Sequence, residues 1–125
     1  MRTDAEIEIL VRAFEDCSLP SVDWTHREHL TVALWYLRQD FPEVATHRIR
    51  EGIRRFNLSH GNPTGYHETI TLAWIAVIVR FLAEHEHGQP LSVLVGRLLE
   101  KCGDTGYLRG FYSEDVLMSD EARRG

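Results

Sequence analysis

The chain is poor in the features that staple, anchor or charge a protein for one obvious task. Only two of its 125 residues are cysteine, Cys17 and Cys102, far apart and without metal-type spacing. They read as reduced thiols, which points to a cytoplasmic protein and excludes a disulfide framework or a cysteine-zinc site. Basic charge is also scarce. Fourteen lysines and arginines face nineteen acids, for a net charge of −5, so no nucleic-acid partner is expected, because such binding needs a basic face. The most apolar stretch, 70–82, is too short and too interrupted to span a bilayer. The opening Met1-Arg2-Thr3-Asp4 leads straight into an acidic amphipathic helix, with no leader pattern. No glycine-rich phosphate loop, His-Glu-x-x-His segment or nucleophile elbow is present, which leaves serine, cysteine and nucleotide chemistry without support. Strand alternation is confined to a short glycine-broken stretch at 106–112, and there is no repeat or linker.

What is present is helical periodicity. A chain of this length forms one domain, 1–125, with a core large enough to hold itself together. Thr3-Asp4-Ala5-Glu6 is a capping box, followed by Ile7, Leu10, Val11 and Phe14 at helical spacing. Thr25-His26-Arg27-Glu28 repeats the device and starts a second helix from His26 to Gln39. Pro42 opens a third helix whose apolar face is Ala45, Ile49, Gly52, Ile53 and Phe56. The fourth, about 66–86, is apolar nearly all round and is expected at the centre of the bundle. Pro90 precedes a fifth helix that runs to Cys102. The expected fold is therefore all-α: a single compact bundle of about five helices.

Histidine is the residue that carries chemical information. His26 and His29 continue the apolar stripe of the second helix through Leu30, Ala33 and Leu37. Their i, i+3 spacing puts the two rings one turn apart, close enough to share an ion. His67 starts the fourth helix on the face of Thr71, Trp74 and Ile78, and supplies a third nitrogen if the two helix starts meet. A divalent transition metal such as zinc, iron or manganese suits the set His26, His29 and His67. The same residues are equally compatible with metal-free acid–base chemistry, or with buried neutral imidazoles that only fix helix packing. Around them, Glu68 is a candidate general base and Tyr66 a hydroxyl within reach of the same cavity, so the catalytic set is His67, Glu68 and Tyr66. Arg50, Arg54 and Asn57 run along one edge of the third helix. An arginine there can clamp a carboxylate or phosphate, which makes an anionic small molecule the expected ligand. Glu28 is more simply explained as the second half of its capping box.

Two motifs, Trp24-Thr25-His26-x-x-His29-Leu30 and Gly65-Tyr66-His67-Glu68-Thr69-x-Thr71, stand in the same order as in a family of small bacterial helical proteins, which the chain resembles over most of its length. That family carries no assigned activity, so the resemblance implies no reaction; it marks the histidine segments as the site. The chain is also loosely similar to DinB-like bundles that bind metal through three histidines, although their histidine pair lies on a late helix. Two functions follow as expectations: a small metal- or histidine-dependent enzyme acting on an anionic small molecule, or a non-catalytic small-molecule binding or interaction module with a buried His/Glu network. A homodimer is the default assembly for so small a protein.

Overall fold

The computed structural model describes residues 2–61, 68–85 and 88–102. These form five α-helices: α1 (Asp4–Glu15), α2 (His26–Gln39), α3 (Pro42–Ser59), α4 (Glu68–His85) and α5 (Leu91–Cys102), with one 3-10 turn at Ser21–Asp23. No strand occurs among the described residues. None of the described helices is long and apolar enough to cross a membrane.

The starts of α1 and α3 follow local chemistry, while those of α2 and α5 involve residues from elsewhere in the chain. At α1 the Thr3 hydroxyl accepts the Glu6 N–H at 3.2 Å, while the Glu6 carboxylate accepts the Thr3 N–H at 2.9 Å. The reciprocal box expected at α2 does not form. Thr25 stands at the N-cap, but its side chain caps no backbone N–H; its hydroxyl donates to the Glu28 carboxylate, which Arg2 also meets at 3.3 Å. Glu28 thus bridges the Thr25 hydroxyl and Arg2, one carboxylate oxygen to each. At α3, Pro42 occupies the first turn, where its missing N–H costs nothing. The start of α5 is capped from a distance: the Ser92 N–H donates to the Asp4 carboxylate at 2.7 Å.

The end of α1 is equally specific. Cys17 lies just beyond it with φ +63°, and the N–H groups of Ser18 and Leu19 both turn back to the Ala13 carbonyl, at 3.0 and 3.1 Å. This is a left-handed stop occupied by a residue other than the usual glycine.

Apolar stripes then decide the packing. Ile7, Leu10, Val11 and Phe14 of α1 are buried, as are Leu30, Ala33, Leu34 and Leu37 of α2 and Leu94, Val95 and Leu98 of α5. α2 packs against all four other helices, whereas α4 packs against α2, α3 and α5, no more neighbours than α1, α3 or α5 has, so the central position is that of α2. The apolar surface of α4 is not wholly enclosed: Ile75, Ile78, Phe81 and Leu82 are buried, while Leu72 stays 42% exposed. Gly52 of α3 sits directly against Phe14. A Cβ there would lie 2.7 Å from Phe14 Cε2 and 2.8 Å from Cζ. The Phe14 ring is itself stacked on Trp24 at 4.6 Å and near Phe56 at 5.8 Å. This aromatic group holds Trp24 in place, and the Trp24 ring in turn lies 4.0 Å from that of His29.

Candidate functional site

α2, α3 and α4 pack against one another pairwise and leave a cavity of about 260 Å³ between them. Each contributes one helical stripe. α2 supplies His26, His29, Leu30 and Ala33; α3 supplies Ile49, Ile53 and Asn57; α4 supplies Ile70, Thr71, Trp74, Ile75 and Ile78. The first turns of α2 and α4 therefore meet at one space, as expected from the two histidine-bearing segments. Eight of these residues are apolar. The polar ones are two imidazoles, one amide and one hydroxyl, and none carries a fixed charge.

The two histidines are held from behind. His26 Nε2 lies 3.1 Å from the carbonyl of Cys102, the last residue of α5, and its ring packs 4.7 Å from that of Trp74. A carbonyl can only accept, so Nε2 is the donor in this contact and Nδ1 is the nitrogen left for another partner. His29 lies under Trp24. Burial pushes its pKa down to about 4, helped by repulsion from His26 and opposed by a hydrogen bond to the Thr25 backbone and by the Glu28 charge. A buried imidazole avoids the cost of desolvating a cation by staying neutral. At neutral pH His29 is an uncharged ring whose N–H is committed to a carbonyl, with one lone pair left.

The charged residues expected to take part stand together beside the cavity and face one another. Arg50 Nη2 donates to Glu68 Oε2 at 2.7 Å, and Nε makes a 2.6 Å ionic contact with Oε1 that lacks hydrogen-bond alignment. Arg54 approaches the same carboxylate at 3.6 Å and Glu51 at 3.7 Å. The residues proposed as anion clamp and general base thus form one ion-pair group linking α3 to α4. Neither arginine, nor Glu68, lines the cavity; Asn57, from the same edge of α3, does. Tyr66 and His67 lie outside the described residues, so the third nitrogen of the expected metal set and the hydroxyl beside it have no position here. Among the described residues no group of three histidine, cysteine, aspartate or glutamate side chains is placed to hold a metal ion.

Sequence reasoning missed Ile49 and Ile53 as site residues, since both looked like ordinary core. Trp74 is both core and cavity wall. Their signal was present in the stripes: Ile49, Ile53 and Asn57 recur at i, i+4 and i+8. His60, in the segment leading toward His67, caps the end of α3 and packs 4.3 Å from Phe56. No family model, curated protein or solved structure matches the chain.

Proposed function

We propose that the protein is a small-molecule binding module whose ligand occupies the cavity between α2, α3 and α4. The observation that carries this reading is the cavity itself: about 260 Å³ of space inside a small bundle, with two histidines, an asparagine and a threonine on an otherwise apolar wall. Ligand sites are typically mostly apolar with a few convergent polar groups, in volumes of roughly 300–1,000 Å³, so this one suits a small metabolite. Cores without such a role close their voids, because each empty volume forfeits packing energy.

Binding is favoured over acid–base catalysis by the state of His29. With a pKa of about 4 it is a weak base at neutral pH, whereas an efficient general base titrates near the working pH. Glu68, the other candidate base, has its carboxylate engaged by Arg50 and Arg54.

The test is a fragment screen by thermal shift and tryptophan fluorescence, repeated on Ala33→Phe and Ile53→Phe, each of which fills the cavity from a different helix. Binders of the native protein should be lost in both variants while the helical circular-dichroism signal persists. Ligands that bind the filled variants as well as the native protein would refute the reading.

A further inference from the structure

The lining chemistry narrows the ligand, granted that the cavity is the binding site. Both imidazoles reach it with their N–H groups already engaged. His26 Nε2 faces the Cys102 carbonyl at 3.1 Å, and the His29 ring is bonded to the Thr25 backbone. With one ring nitrogen committed as a donor, the other nitrogen of each ring is the acceptor position that a ligand's O–H or N–H can meet. The described walls carry no fixed charge. The nearby guanidinium groups of Arg50 and Arg54 are turned to Glu68. An ionised ligand would leave water for a mostly apolar space with no counter-charge on those walls, which is costly. The remaining wall is isoleucine, Leu30, Ala33 and the Trp74 indole, an apolar lining that suits a ring. On the scale set by a dry apolar cavity of about 150 Å³ that holds benzene, a space of 260 Å³ takes a substituted ring or two fused rings.

We infer that the cavity binds an uncharged ring compound carrying a hydroxyl or N–H donor, held by the lone pairs of His26 and His29. Its ring packs on Trp74 and the isoleucines, and its donor points to the start of α2. Asn57 and Thr71 are left to meet a second polar substituent from α3 and α4.

The probes are three molecules of one shape: 2-naphthol, its methyl ether and 2-naphthoate. Each is titrated into the full chain by calorimetry at pH 7, with and without a chelator. The expected result is that 2-naphthol binds best. The ether, which has no donor, should be weaker by roughly three- to tenfold, the fold-change of one net hydrogen bond. Naphthoate should be weaker still, and the chelator should have no effect. Equal binding of naphthol and ether would overturn the donor assignment. Tightest binding by naphthoate would overturn the neutral-ligand inference while leaving the cavity as the site. Loss of naphthol binding with the chelator would replace direct recognition by a metal ion. Failure of all three to bind would refute the cavity as a ring-compound site, and with it the small-molecule reading for this class. Arg12→Ala and His29→Gln give a second measure: the first, on the exposed face of α1 away from the cavity, should leave naphthol affinity within about twofold, and the second should lower it by roughly three- to tenfold.

Discussion

Replacing Gly52 with alanine separates two opposing effects whose sizes can be worked out. In an exposed helix interior, alanine for glycine stabilises by about 1 kcal/mol, because the unfolded chain loses freedom. Here the added methyl would stand 2.7 and 2.8 Å from two carbons of Phe14, against an optimum near 3.5–4.0 Å. The ring must therefore give way by about 1 Å. It has little room, being fully buried, with Trp24 stacked on it at 4.6 Å and Phe56 at 5.8 Å. Overpacking of this kind costs about 1–3 kcal/mol. With the propensity gain set against it, Gly52→Ala should destabilise by up to about 2 kcal/mol, lowering Tm by up to roughly 8 °C. The assay is urea denaturation of a double-mutant cycle with Phe14→Leu. In the Phe14→Leu background, where the ring edge is gone, the same alanine should be stabilising by up to about 1 kcal/mol, giving a coupling of about 1–3 kcal/mol, the overpacking cost itself. A Gly52→Ala protein about 1 kcal/mol more stable than the parent would show that α1 and α3 do not approach as closely as described.

Three further outcomes are expected. His29 has a folded pKa of about 4 against 6.5 for the free side chain, so the unfolded state binds a proton that the folded state refuses; stability falls as pH drops from about 6.5 to 4, by about 3 kcal/mol in all. Denaturation at pH 6.5 and 5, above most carboxylate titration, should show about 1.5 kcal/mol more loss in the native protein than in His29→Phe, and equal losses would contradict the buried neutral ring. Glu68→Gln leaves two guanidinium groups facing each other without the carboxylate, and should cost about 1 kcal/mol after allowance for the partial exposure of both arginines, less at high salt; a salt-independent loss would point to packing instead. Cys17→Gly relieves the left-handed backbone after α1 and should stabilise by up to about 1 kcal/mol, reduced by the packing of the half-buried thiol, as read by thermal melts.

The stripes were legible because helical spacing reports one face at a time. His26, Leu30 and Ala33, and likewise Thr71, Trp74 and Ile78, were placed on common faces by period alone, and those faces line the cavity. The boundaries of α2 fell where Thr25 and Asp40 suggested. What the sequence did not contain was the relation between faces. Whether Arg50 meets a ligand or Glu68 depends on how α3 crosses α4, and a two-residue rotation of either helix would change the partner. Glu28 fitted a local capping box equally well until Arg2 offered an ionic one. The cavity was the least legible feature of all, since it is the volume that three well-formed apolar stripes fail to fill.

The bond between Asp4 and the Ser92 N–H joins positions 88 residues apart, and it bears on the order in which the chain acquires structure. α1, α2 and α3 emerge first from the ribosome, and in the folded protein each packs on the other two. The start of α1 nevertheless has a partner that does not yet exist. Asp4 can meet the Ser92 N–H only after α5 is made and docks against the α1–α2 face. Closing so long a loop costs only slightly more than closing a shorter one, but it cannot happen early. Docking of α5 is thus placed late, and the same event supplies the Cys102 carbonyl that orients His26 at 3.1 Å. The histidine wall of the cavity is completed only when the bundle closes, so a nascent or partly opened chain would hold the imidazoles without the geometry that makes them a site.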